Sequence, residues 1–204
     1  KSPSPNFKFF LEGSAIIVYN FVMAIIIKQA QSSQRLVEIL EHRHHCLFRT
    51  NGKHIDHFDV LPSTFNFAAT ENGQVIGSCR LLELDSYAIN ELNQYPFREL
   101  TQKVEGNSGY IDLVCIESSQ QMQSMILQGL IKMALLQAQR REMKFIFISM
   151  LAIHNHVDFG MPVQKVFEKE KDFTIFSISL DDFERSVLSK IADKEILRFR
   201  ETFY

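Results

Sequence analysis

Apolar and polar positions alternate along this chain in two rhythms, and the switches between them lay out its elements. Residues 7–20 are mostly apolar and are read as a short helix packed on the domain. Residues 21–30, rich in Ile and Val, predict a strand. Ser32 or Ser33 caps the helix that follows, whose apolar stripe runs through Val37, Leu40 and 44–48 and ends near Arg49. Asn51-Gly52 then marks a turn. Strands at 65–70 and 75–82 flank Asn72-Gly73, the strongest short-range hairpin signal. Residues 85–104 read as helix and loop around Pro96, and 109–117 as another strand. From Ser118 or Ser119 to about Glu142, Met122, Met125, Ile126, Gly129, Leu130, Met133 and Leu136 recur at helical spacing. The unbroken apolar run 144–151 predicts a strand inside a sheet. A short helix at 163–168, a strand at 173–180 and a final helix capped by Asp181 or Asp182 complete the reading.

A hairpin followed by alternating helices and strands implies an α/β (α+β) fold: a mixed twisted sheet with helices on both faces. The length of 204 residues suits one domain, 1–204, with 1–6 as a loose N-terminal end. Hydrophobic residues at 46% and charged residues at 23% are ordinary globular usage. The 18 Phe, with no Trp, suit a wide core or an apolar pocket, and core is the ordinary use.

Charge excludes one class of partner. The net charge is -2 and the Lys and Arg are scattered, so nucleic-acid binding has no electrostatic footprint. The run 15–27 is broken by Asn20 and is shorter than the roughly 20 residues a membrane span needs. It also lacks the marks of a signal peptide. Three widely spaced cysteines, Cys46, Cys79 and Cys115, argue against a disulfide framework and for a reducing, cytoplasmic setting.

His42, His44, His45, Cys46, His54 and His57 lie close in sequence, but without the paired spacing of a zinc motif, so no metal is expected. His54 or His57 is a candidate base, with solvated or core histidines the ordinary reading. Cys115 reads as a small buried hydrophobe rather than a nucleophile. Met122, Met125 and Met133 read as adaptable core, with an acyl-chain tunnel as the functional alternative. His154-Asn155-His156, in a loop after a strand, is a further candidate for substrate contact.

Residues 43–82 carry a more specific pattern. Arg43-His-His-Cys-Leu47 ends the first long helix, Asp56-His-Phe-Asp59 follows in a loop, and Gly77-Ser-Cys-Arg80-Leu-Leu82 lies on a strand. Two carboxylates three apart, with two arginines brought near by the fold, form a charge network at a pocket mouth. Arg grips a carboxylate and Asp receives an ammonium group. The series resembles that of acyl-homoserine-lactone synthases and N-acyl amino acid synthases, whose order is R-x-R-V-F, D-x-x-D and G-x-x-R-L-L. These are GNAT-like acyltransferases. The resemblance implies a GNAT-like mixed sheet with splayed central strands, and an acceptor site organised by Arg43, Asp56, Asp59 and Arg80. Locking the helix end and loop onto the sheet is the competing role for these four. If they form the acceptor site, Arg80→Ala abolishes acceptor turnover with the fold intact.

The resemblance also implies a donor site. The backbone of Leu113, Val114, Cys115 and Ile116 would receive a pantetheine arm. Gln121, Gln123 and Ser124, at the head of the long helix, would meet its phosphate, because helix N-termini favour anions. Gln121 fits the first position of the coenzyme A pattern Q/R-x-x-G-x-G/A, but Ser124 and Ile126 replace its small residues. That suits acyl carrier protein as the donor's carrier, with acyl-CoA the other donor. The synthases' E-x-S/T-R stretch aligns with Tyr110-Ile111-Asp112-Leu113, so Asp112 or Glu117 must stand in as the base that takes the ammonium proton. The expected function is N-acyl transfer from a carrier thioester to an amino acid or related small-molecule amine. An acetyl-CoA-dependent acetyltransferase and a non-catalytic GNAT-like binding or sensing module are the alternatives.

Overall fold

A computed structural model describes residues 8–12, 15–20, 23–47, 56–118, 120–151, 163–169 and 173–184. The N-terminal end 1–6, Asn51-Gly52, His54, Ser119, His154-Asn155-His156 and the final helix beyond residue 184 lie outside the described residues.

Among the described residues, nine strands form one sheet in the order β1-β2-β3-β4-β5-β6-β7-β9-β8. They are β1 (Lys8–Glu12), β2 (Ala15–Asn20), β3 (Met23–Gln29), β4 (Thr64–Glu71), β5 (Gln74–Glu83), β6 (Ser108–Ile116), β7 (Phe145–Leu151), β8 (Gln164–Lys169) and β9 (Phe173–Ser179). Each of these pairings is antiparallel except that of β6 with β7, among the described residues. The helices are α1 (Ser33–Leu47), α2 (Ser86–Glu91), α3 (Phe97–Gln102) and α4 (Gln120–Arg140), with a 3-10 turn at His57–Val60.

Local chemistry explains most of these bounds. The Ser32 hydroxyl accepts the Arg35 N–H at 3.2 Å and starts α1. Asp85 does the same for α2, accepting the Ala88 N–H at 2.7 Å. Asn72 and Gly73 both have positive φ, 50° and 84°, the primed turn that matches strand twist in a two-residue hairpin.

The sequence expectation is wrong at three places. Within the run 7–20, residues 8–12 and 15–20 form the antiparallel strands β1 and β2 rather than a helix. The β-branched run Ala15-Ile-Ile-Val pairs in register with β3, Ile17 opposite Ile26 and Val18 opposite Ile25. Residues 163–168 form edge strand β8 rather than a short helix, because pairing with β9 satisfies that strand's outer edge. Asp181 and Asp182 fall inside the first turn of a helical segment that already begins at Leu180, rather than at the cap position before it.

The sheet separates two apolar layers. On one face α4 buries Ile126, Leu130, Ala134 and Ala138 against Phe67, Leu81, Ile111 and Ile146. On the other face α2, α3 and the 3-10 turn close over Leu82, Tyr110, Phe147 and Ile175. Alternation along β5 assigns its residues. Cys79 and Leu81 face α4, while Ser78 and Arg80 face α1 and the 3-10 turn. No described helix is long and apolar enough to cross a membrane.

Gly77 sets how closely α4 lies on β5, since a Cβ there would stand 2.8 Å from Ile126 Cγ2. Gly77→Val is expected to destabilise the fold by about 1–3 kcal/mol. Combining it with Ile126→Ala should cost less than the two single changes added together, measured by urea unfolding.

Candidate functional site

The site is built where α1, the 3-10 turn, β4, β5 and β6 meet on the face opposite α4. Arg43, near the end of α1, is fully buried. Its Nη1 donates to Asp59 Oδ1 at 2.7 Å and its Nη2 to Asn66 Oδ1 at 2.7 Å. Asp56 and Asp59 form a capping box around the turn: Asp56 accepts the Phe58 N–H, and Asp59 accepts the Asp56 N–H. Asn66 closes this half by donating to the Asp59 carbonyl at 3.3 Å.

Arg80 occupies the centre. Its Nε and Nη2 donate to the two oxygens of Asp112 at 2.9 and 2.7 Å. Its Nη1 and Nη2 donate to the two oxygens of Asp56 at 2.6 and 3.1 Å. Nη1 also lies 3.5 Å from Asp59, so every N–H of the guanidinium faces a carboxylate. Its carbon lies 5.7 Å from the centre of the Phe58 ring. Burial opposes the Arg80 charge. Asp112 outweighs it, with Asp56 adding to the effect, and the pKa is held above the ordinary arginine value.

The sequence reading thus brings together five of its residues, Arg43, Asp56, Asp59, Arg80 and Asp112, in one network. The direction of the charges is what it could not foresee. Both arginines are sealed, with side-chain exposures of 0% and 1%, whereas Asp56 retains 26% and Asp112 11%. Three aspartates against two arginines leave the cluster one negative charge in excess. The face it turns to solvent is therefore acidic.

Glu117 stands apart from this network. It is exposed at the end of β6, and its carboxylate lies 3.5 Å from His45 Nε2.

The four donor-strand residues lie on β6, and β6 has an unusual form. In its pairing with β5, Arg80 opposes Asp112 and Ser78 opposes Cys115, so Leu113 and Val114 together face one residue. This is a β-bulge, and Leu113 takes φ 47°, left-handed for a residue with a branched side chain. On its other side β6 pairs with β7 only from Ser108 to Ile111. Beyond that point the parallel partner is gone and the strands diverge, leaving that edge of 112–116 without β7. Strain of this kind concentrates where backbone is re-aimed for a task.

The connection from β6 to α4 is short. Gln123 Nε2 donates to the Ser118 carbonyl at 3.0 Å and holds that loop on the helix. Ser124 is exposed on the first turns of α4, and the Gln121 side chain lies outside the described parts.

Sequence reasoning missed Asn66, which joins Arg43 to Asp59, and the contact of His42 Nδ1 with Ser78 Oγ at 3.5 Å. The signal for Asn66 was present: an amide between Phe65 and Phe67 opposite Arg80 in the hairpin register. It also gave no role to Tyr110, which stacks on Phe97 with ring centroids 4.5 Å apart. Burial, then Asp112 and Tyr95, raises the Tyr110 pKa well above its ordinary value, so the phenol beside Asp112 is neutral. Burial likewise lowers the His42 pKa, with Glu117 opposing and Arg43 and His45 assisting.

No family model and no curated protein matches the sequence. Solved structures do match in shape. FeeM, an N-acyl amino acid synthase from uncultured soil microbes, superposes with a TM-score of 0.65 at 8% identity over 81% of this chain and 95% of its own. The acyl-homoserine-lactone synthase LasI gives 0.55 at 16% identity, over 78% of this chain and 90% of its own. ElaA of Escherichia coli gives 0.52 at 12%, over 76% and 99%. The fold is that of the GNAT-like acyltransferases, and the structures it resembles include both kinds of synthase.

Two predictions follow from the buried groups. Arg80→Ala leaves two carboxylates facing each other without their cation, so the sequence-based expectation of an intact fold is replaced by a loss of about 3–5 kcal/mol in urea unfolding. The paired change Arg80→Met with Asp112→Leu should recover part of that loss. Burial pushes the thiols of Cys79 and Cys115 up to about 12, in both cases with Arg43 opposing. Neither should be alkylated by iodoacetamide at pH 8 in the folded protein, while both react in urea, as mass spectrometry of the labelled peptides would read.

Proposed function

We propose that this protein is an N-acyltransferase that moves an acyl group from a carrier thioester to a small-molecule amine, an amino acid or a related metabolite. The observation that carries this reading is the bulge at Leu113–Val114, set where β6 parts from β7 and next to Asp112. Backbone N–H groups freed on 112–116 suit a pantetheine arm lying along the strand, and one of them suits the thioester carbonyl as charge develops on its oxygen. The head of α4 follows directly, with Gln121, Gln123 and Ser124, where a phosphate is favoured.

The acidic face suits the acceptor. An ammonium group docks against Asp56 and Asp112, whose oxygens keep lone pairs beyond those engaged by Arg80. Arg43, Asp59 and Arg80 hold those carboxylates in place rather than grip an acceptor carboxylate themselves. Asp112 or Glu117, directly or through water, takes the ammonium proton. The free amine then attacks the carbonyl carbon, the tetrahedral oxyanion collapses, and the carrier thiolate leaves with a proton. This route uses no metal and no protein nucleophile. Acyl carrier protein suits the glycine-poor head of α4, Gln121–Ile126, better than coenzyme A alone, and both are candidate carriers.

A second reading has its own observation. The donor strand holds Tyr110-Ile111-Asp112-Leu113 where the synthases carry their Glu and Arg, and the one acid there is engaged by Arg80. A non-catalytic GNAT-like binding or sensing module would have that property.

The test is an incubation with short- and long-chain acyl carrier protein and acyl-CoA donors, pooled amino acids and S-adenosylmethionine, read by mass spectrometry. An N-acyl product is expected. Asp112→Asn should reduce its rate by about two orders of magnitude or more. Products from acetyl-CoA alone would make it an acetyltransferase. No product from any donor, with a folded protein, would overturn the enzyme reading in favour of the binding module.

A further inference from the structure

Away from the Arg80 network, α1 and the end of β6 bring together three potential metal ligands. His42 and Cys46 are four apart on α1 and so share one face of the helix. Glu117 is the first residue after β6, and its N–H donates to the Ile76 carbonyl at 2.8 Å, which fixes the backbone there. The His42 ring, the Cys46 thiol and the Glu117 carboxylate each place one ligand atom within 4.8 Å of the others.

The distances have the right form. His42 Nε2 lies 3.5 Å from Cys46 Sγ. A tetrahedral centre with a metal–sulfur bond of about 2.3 Å and a metal–nitrogen bond of about 2.0 Å has an S···N edge of roughly 3.5 Å. The other ring nitrogen, Nδ1, lies 3.5 Å from the hydroxyl of Ser78, which is fully buried on β5. A partner on the far nitrogen sets the tautomer and ring direction of a metal-bound histidine. Glu117 is the outlying ligand, and its exposed side chain is free to swing in by the remaining distance.

We propose that His42, Cys46 and Glu117 form a binding site for a borderline-soft divalent cation of the zinc class, oriented by Ser78, that ties α1 to the end of the donor strand. Nitrogen, thiolate and carboxylate are the donor types zinc accepts, and three protein ligands leave a fourth position for water or an exogenous ligand. Binding releases the thiol proton. The thiolate and the carboxylate then balance the charge of the ion, and the imidazole is neutral. Without an ion, burial and then Glu117 push the Cys46 thiol up to about 11, so the proton is displaced by the metal rather than already absent. The charged or titratable neighbours are Arg43 and His45 on α1 and Cys115 on β6. The Cys115 thiol is turned to its own strand, where it donates to the Leu113 carbonyl at 3.5 Å. Glu117 is shared with the acyl transfer proposed above, where Asp112 is the other candidate base, but metal binding is read without any acyl donor, so the two stand or fall separately.

The experiment is a titration of the metal-stripped full chain with Co2+, then displacement by Zn2+, followed by absorption spectroscopy. One equivalent of Co2+ is expected, with the visible bands of a tetrahedral centre and a near-ultraviolet sulfur-to-cobalt charge-transfer band, both removed by Zn2+. Cys46→Ser should remove the charge-transfer band, and Glu117→Gln, at an exposed position that leaves the fold untouched, should weaken binding. Ser78→Ala should weaken it by about 10- to 100-fold. The absence of stoichiometric Co2+ binding, or binding unchanged by either Cys46→Ser or Glu117→Gln, would overturn the proposal.

Discussion

The Arg80 guanidinium, held edge-on by Asp112 and fork-on by Asp56, is the interaction on which this half of the molecule rests. It ties three segments distant in sequence: strand β5, the turn after α1, and strand β6 at the residue where its regular pairing ends. The burial of this cation is offset because each of its three nitrogens donates to a carboxylate. The carboxylates in turn are oriented by a capping box, and that box is anchored to α1 through Arg43. The acidic rim is therefore preorganised before any ligand arrives, and its sign is set by which side chains are sealed and which are not.

The same register explains the bulge. Arg80 and Ser78 must both face α1, so their partners on β6, Asp112 and Cys115, must do so too. Those partners are three residues apart, and an odd spacing on a strand puts side chains on opposite faces unless one residue is added. Leu113 absorbs the mismatch in its positive φ. The charged network and the distorted donor strand are thus two views of one constraint, both located where β6 separates from β7.

How much of this was legible in the chain depended on distance. Asn72-Gly73 and the Met and Leu spacing of α4 are local, and both elements stand where the periodicity put them. The motif residues from Arg43 to Arg80 were also readable as a group, because their types only make sense together. The strands β1, β2 and β8 were not readable, since a short apolar run becomes a strand only when a neighbour offers it an edge. Asn66, Ser78 and His42 were invisible as partners for the same reason. The saturation of Arg80 was not readable, because counting its donors requires knowing how many acceptors surround it. In sequence it looks like an arm for a substrate, and in the fold its valences are already filled.

The parallel pairing of β6 with β7 has a consequence for the order in which the molecule assembles. β4 and β5 meet through a two-residue turn, so their contacts form at small cost in chain entropy. β6 can reach β7 only after the whole of α4 has crossed between them, and the reward is four residue pairs, Ser108–Ile111 against Phe145–Ile148. The junction of these strands therefore waits on docking of the long helix. It is fastened late and by little, and the pairing of β6 with β7 stops at Ile111 and Ile148.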